Sequence, residues 1–387
     1  MLSAPRIVRT PLLIQLADSC GSATLATMTR LPTMTDKTES PSLQREQAIL
    51  EEIIRYYMET QEAISARTLS KISTLSLSPT TIRNLMEDLS DAGLLTAEGV
   101  TRGRIPTQKA FTLYVTRLRP KRPQSSATLP KVEAMDETGQ LSLADVVFQR
   151  GDFLARKTGL LVMALLPGKD FFPLRWMRFN TVPEHQVLVV VKTLFGDLWS
   201  KTLQSTKPFP EELLFEISRL IGDRYQGQSL AAIRNEIMSG EPKDILENMP
   251  SLGAAFRMLR RAFEWGEQDT LLHWGRKNLL QLREYQDPQN LRHLFTILED
   301  SEVLGGILKH AHPLAGGLVV IGTDTGYPGL EQSAVLAFPF SWQDWRGWMA
   351  VLGPMHMNYG QVAEYTAEVA HSLSVYLSHC AHHPSRS

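Results

Sequence analysis

Residues 76–91, SLSPTTIRNLMEDLSD, leave the chain few choices. Ser78 is a strong helix N-cap, and Pro79 takes the first helical position, where its missing N–H costs nothing. Ile82, Leu85, Met86 and Leu89 recur at helical spacing and predict one buried stripe. Gly93 offers a left-handed stop. The opposite face of the first turns carries Thr80, Thr81, Arg83 and Asn84, side chains that hydrogen-bond nucleic acid. The flanks complete a pattern. Residues 44–58 set Ile49, Leu50, Ile53, Ile54 and Tyr57 on one helical face, and 65–73 form a short helix capped by Ser65. Leu94 and Leu95 then face Arg104 and Ile105 across a turn at 99–103. Three helices and a hairpin are the order of a winged helix-turn-helix. In that arrangement the third helix enters the major groove and the hairpin lies on the flanking backbone or minor groove.

Charge sharpens the expectation. The 387-residue chain has a formal net charge of -1, so a polyanion surface must be local. Residues 101–122 hold Arg102, Arg104, Lys109, Arg117, Arg119, Lys121 and Arg122 and no acid, a patch suited to phosphates. Arg83 can contact guanine and Asn84 adenine, each in bidentate fashion. The plainer alternative for Arg83 is an i, i+4 pair with Glu87 on an exposed face. Arg67 and Ser78 are expected on phosphates, and Thr101, Arg102 and Arg104 on the wing contacts.

The remainder divides by composition. Residues 119–140 are rich in Pro, Ser and Thr and read as a linker. Apolar strand runs occur at 159–166, 187–193, 317–322, 333–338 and from 348. Helical patterns fill 210–222, 229–238, 253–265, 268–280, 289–309 and 359–379. The class is α+β, with a mostly helical stretch inserted between two strand-rich ones. Residues 1–43 are set aside as a disordered tail or the product of an early start. No run reaches the roughly 18 apolar residues of a membrane span. Cys20 and Cys380 make no disulfide framework and fit a reducing cytosol. His371, His379, Cys380, His382 and His383 cluster at a chain end without fixed ligand spacing, so no metal is expected. GTDTGYPG lacks the lysine of a phosphate loop, and no nucleophile stands beside a base, so neither a cofactor nor an enzyme is expected.

Several blocks together resemble the HrcA family of heat-inducible transcription repressors. They are SARTLSK (65–71), LSLSPTTIRNLMEDLSDAGLL (75–95), GRIPTQKAFTLYV (103–115), GRKNLLQLREYQDPQNLRHLFTILED (275–300), IGTDTGYPGLEQSAVLAFPF (321–340) and VLGPMHMNY (351–359). The resemblance implies a cytoplasmic homodimer that represses chaperone operons. It would bind an inverted-repeat operator upstream of chaperonin genes, with its activity dependent on the chaperonin. It also implies a winged helix-turn-helix domain at 44–118, the linker at 119–140, and a GAF-like α/β domain at 141–209 and 289–380. A helical dimerisation insertion at 210–288 would interrupt that domain. The sequence departs from the family pattern twice. Gly99 to Arg102 replace His-Thr-Ser-Ala at the wing, and His356 and Asn358 stand where the family has arginine and aspartate. A different class of function, a metabolite-responsive regulator with its ligand in the GAF-like domain, is the second expectation.

Overall fold

The structure is a computed structural model describing residues 41–98, 103–118, 141–183, 185–205, 208–239 and 261–382. The expected linker at 119–140 lies outside the described residues, as do 1–40. Helix α1 (Pro41–Thr60) begins inside the segment set aside as a tail. It is followed by α2 (Ala66–Ile72), α3 (Pro79–Asp91), β1 (Leu95–Ala97), β2 (Arg104–Pro106) and α4 (Gln108–Arg117). The two short strands pair antiparallel, Leu95 with Pro106 and Ala97 with Arg104. The stripe expected on α3 is the buried one: Ile82, Leu85, Met86 and Leu89. They meet Ile49, Ile53 and Ile54 of α1 in one cluster, each fully buried side chain contributing about 1.5–3 kcal/mol.

The larger part of the chain is a six-stranded sheet in the order β7-β3-β11-β10-β9-β8. Its strands are β3 (Leu161–Leu166), β7 (Thr270–Trp274), β8 (His312–Leu314), β9 (Gly317–Ile321), β10 (Ser333–Trp342) and β11 (Trp345–Pro354), all antiparallel. Both faces are covered, which explains why β3 is a continuous apolar run instead of an alternating one. Val162, Ala164 and Leu166 face a core shared with α5 (Leu143–Thr158) and α11 (Tyr359–His382). Leu161, Met163 and Leu165 face α9 (Pro288–Glu299) and α10 (Ser301–Leu308). The single helix expected over 289–309 is therefore two, and Asp300 caps the second by accepting from Glu302 N–H at 2.8 Å.

Between β3 and β7 the chain leaves this sheet. Strands β4 (Leu174–Val182), β5 (Gln186–Thr193) and β6 (Leu198–Gln204) form their own antiparallel sheet. Helices α6 (Glu211–Tyr225) and α7 (Leu230–Ser239) pack on it around a separate core of Met177, Val189, Ile217 and Ile221. The expected boundaries at 210 and 288 do not match this topology. The strand expected over 187–193 belongs to the excursion, not to the large sheet. The stretch 268–280, expected as a helix, supplies edge strand β7 and then the short α8 (Arg276–Leu279). Pairing of β7 with β3, Trp274 opposite Val162, overrides the local helical spacing.

Two carboxylates close the base of the excursion. Asp170, 1% exposed, accepts from the N–H groups of Trp265 at 2.7 Å and Gly266 at 3.0 Å. Its other oxygen accepts from Arg234 at 2.5 Å, and Arg234 also pairs with Glu267. Asp269 accepts from Gly168 N–H at 3.2 Å. Beside them Phe172 stacks edge-on against Trp199 at 5.1 Å and Trp345 at 5.4 Å, tying the two sheets together.

Candidate nucleic-acid interface

Helices α2 and α3 start the same way. Ser65 Oγ accepts from Thr68 N–H at 3.1 Å, and Ser78 Oγ accepts from Thr81 N–H at 3.1 Å. In each pair the two hydroxyls also lie 2.9 Å apart. These caps satisfy amides that a helix end otherwise leaves open. They also engage Ser78 and Thr81 within the chain, so the unencumbered side chains on the first turns of α3 are Thr80, Arg83 and Asn84. All three are exposed, as is Arg67 on α2. Among the described residues no ion pair joins Arg83 to Glu87. The acids of α3, Glu87, Asp88 and Asp91, sit in its second half. The N-terminal half of α3 thus has no acid, and the helix dipole is positive there.

The turn between the two helices is held from α1. Thr74 donates its N–H at 3.1 Å and its hydroxyl at 3.0 Å to Glu52 Oε1, and Ser76 crosses the turn with φ +50°. Sequence reasoning missed Glu52, because a polar residue on an amphipathic helix reads as a solvated face. The far end of α3 is also fixed. Leu94 N–H donates to the Leu89 carbonyl at 2.9 Å, Gly93 has φ +74°, and Lys109 Nζ donates to the Ala92 carbonyl at 2.9 Å. Lys109, counted above in the basic patch, thus neutralises a helix C-terminus.

Arg104 stands at the base of the hairpin, half-buried. Its backbone bonds both ways to Ile64, N–H to carbonyl at 2.9 Å and carbonyl to N–H at 3.1 Å. That brings the hairpin base within one residue of the Ser65 cap. Gly103 permits the approach, since a Cβ there would lie 2.7 Å from Cβ of Ala63. Thr101 and Arg102, expected on the wing, lie outside the described residues, as do Arg119, Lys121 and Arg122. Arg67, Ser78, Thr80, Thr81, Arg83, Asn84 and Arg104 therefore belong to one helical unit. Among the described residues no group of three or more His, Cys, Asp or Glu side chains could hold a metal, and no helix is long and apolar enough to cross a membrane.

Residues 144–363 match the family model described as the HrcA protein C-terminal domain. The chain belongs to the HrcA family. Relatives named heat-inducible transcription repressor HrcA align along nearly their whole length. The one from Methylobacillus flagellatus is 26% identical over 340 residues, covering 86% of this chain and 98% of its own. The one from a Chelativorans species is 29% identical over 360 residues, covering 88% and 99%. A crystal structure described only as a hypothetical protein shares the fold, with a TM-score of 0.57 and 22% identity over 87% of this chain and 98% of that one. Members of the HrcA family are transcription repressors, not enzymes, and this chain is one of them.

Proposed function

We propose that this repressor reads an inverted-repeat operator upstream of chaperonin genes as a cytosolic homodimer. In this reading residues 41–118 form a winged helix-turn-helix, α3 is its recognition helix, and the hairpin is its wing. Arg83 and Asn84 contact base edges. Arg67, Ser78, Thr80 and Thr81 contact phosphates or neighbouring edges, and Thr101, Arg102 and Arg104 serve the wing. The six-stranded sheet with its helices is a GAF-like body, and the excursion over about 167–269 carries the dimer contact. Two-fold protein symmetry then matches a palindromic site. The observation that carries the reading is α3: capped at its start by Ser78, buried along one stripe, and exposing Thr80, Arg83 and Asn84 without an ion pair to an acid of the helix among the described residues.

Heat control follows from an affinity switch. The body is only marginally stable, so a loss of a few kcal/mol removes most of the folded dimer and operator occupancy falls. Chaperonin restores the folded form, and its titration by unfolded proteins lifts repression.

Fluorescence anisotropy with the operator duplex and a scrambled duplex, across salt concentrations and with or without chaperonin, tests this. A preference of about a thousandfold or more is expected, relaxed by Arg83→Ala and by Asn84→Ala. Equal affinity for both duplexes with a steep salt slope would leave only phosphate contact and refute the reading.

A further inference from the structure

Four of the sequence blocks quoted above meet where the DNA-reading unit joins the body. Gln108, the first residue of α4, belongs to GRIPTQKAF and reaches the turn Gly322–Thr325 of IGTDTG, 215 positions along the chain. Its Oε1 accepts from both the N–H and the hydroxyl of Thr323, each at 3.0 Å. The turn is shaped to receive it. Gly322 has φ +57°, and a methyl group there would collide with Gln108 Oε1. The rest of the joint between the DNA-reading unit and the body is side-chain packing: α4 lies against β8 and β9, and its buried face runs on into the core of the sheet. Phe111 packs on Tyr359 at 6.1 Å, and Tyr57 meets His356 edge-on at 6.1 Å, both partners from VLGPMHMNY. His356 in turn lies 3.5 Å from the Glu284 carboxylate of GRKNLLQLREYQDP.

These contacts differ in kind. Apolar packing is non-directional. A pair of hydrogen bonds fixes direction. An open cleft of about 580 Å³ runs between α4 and Asp324 beside these bonds. The Gln108 amide oxygen therefore adds a directional tie to this packing.

We propose that Gln108 is a positioning residue for operator recognition. Its double hydrogen bond to Thr323 sets the rotation of the DNA-reading unit on the body, so the body dictates the spacing between half-sites. This rests on the dimeric, inverted-repeat reading above. GTDTG, which has no phosphate loop's lysine, is the seat of that joint.

The test measures affinity of the full chain for three duplexes: the natural repeat, a single half-site, and the repeat with about five base pairs inserted, half a helical turn. Wild type is expected to prefer the natural spacing over the inserted one by about a hundredfold, within the range of bivalent gain. Gln108→Leu should bind the single half-site within about twofold of wild type yet prefer the natural spacing by less than about tenfold. Gly322→Ala, which displaces the amide from the body side, should do the same and serves if Gln108→Leu does not fold. Gln108→Glu keeps the acceptor oxygen and should keep the wild-type preference. Spacing preference unchanged in both disruptive variants would overturn the proposal, as would equal losses on half-site and full site. A wild type indifferent to spacing would instead refute the dimeric reading. Spin labels then decide the joint independently, placed at Glu87→Cys and Lys157→Cys in a Cys20→Ser, Cys380→Ser background diluted with unlabelled chain. Gln108→Leu should broaden the distance distribution, and an unchanged width would sink the joint.

Discussion

Replacing Asp170 by alanine removes three acceptor interactions at the base of the excursion. Trp265 N–H and Gly266 N–H lose their acceptor, and Arg234 loses the buried half of its carboxylate pair. An unmet buried amide costs about 1–3 kcal/mol, and stranding one partner of a buried ion pair about 3–5 kcal/mol. Two features pull the sum down. Gly266 is exposed, so water replaces part of its bond, and Arg234 keeps Glu267. The expected loss is about 3 kcal/mol. Spread over a unit of about 100 residues, that lowers its Tm by about 12–24 °C. Differential scanning calorimetry with tryptophan fluorescence reads it out, because Trp199 and Trp265 adjoin the site with rings 6.1 Å apart. Operator occupancy, followed on the same ramp, should fall at a correspondingly lower temperature. Asp170→Asn retains one oxygen for the two amides and should lose less than alanine does. A loss below about 1 kcal/mol for Asp170→Ala would show that the buried carboxylate does not hold the excursion in place.

Three further outcomes are expected. Arg67→Ala should weaken binding to operator and scrambled duplexes alike and reduce the salt slope by about 1, whereas a sequence-dependent effect would move Arg67 from phosphate to base contact. Asp197 is buried at the start of α5, where its carboxylate accepts from Ala144 N–H, and burial raises its pKa to about 6. Its folded pKa lies above the unfolded one, so its own contribution to stability is fully present below pH 3.8 and is lost as pH rises through about 6, a change on the order of 3 kcal/mol. Asp197→Asn should therefore flatten Tm against pH over that window, and an unaltered profile would assign the titration elsewhere, first to Asp269, whose pKa is also raised to about 6 by burial. Gly151 of α5 sits against the Trp274 ring with no room for a methyl group, so Gly151→Ala should cost about 1–3 kcal/mol in urea unfolding, and no change would mean that β7 moves freely against α5.

The legible parts of this chain were the local ones. Ser78, Pro79 and Gly93 announce the ends of α3, and its stripe announces its buried face, because caps and periodicity act within a few residues. Continuous apolar runs announced β3, β9 and the start of β10. Strand β6 gave no signal because its residues are mostly exposed, and β4 breaks its alternation with an irregularity between Leu174 and Trp176. Strand β7 reads as a helix until its partner β3 is known. At the site, the exposure of Arg83 and Asn84 follows from spacing. Glu52 and Gln108 do not, since their partners lie 22 and 215 positions away and nothing local marks them.

The order of strands in the large sheet also bears on how the chain is made. Strand β3 is buried along all six residues, between β7 and β11. Those neighbours are translated about 100 and about 180 residues after it, so at roughly 5–20 residues per second the ribosome holds β3 without its second neighbour for about 10–35 s. Throughout that time an apolar segment with open edges protrudes into a crowded cell, and its partners, once made, must be found across a long loop. Newborn molecules are thus exposed to capture by other chains until the sheet closes. Completion of the large sheet waits on the last strands to be made.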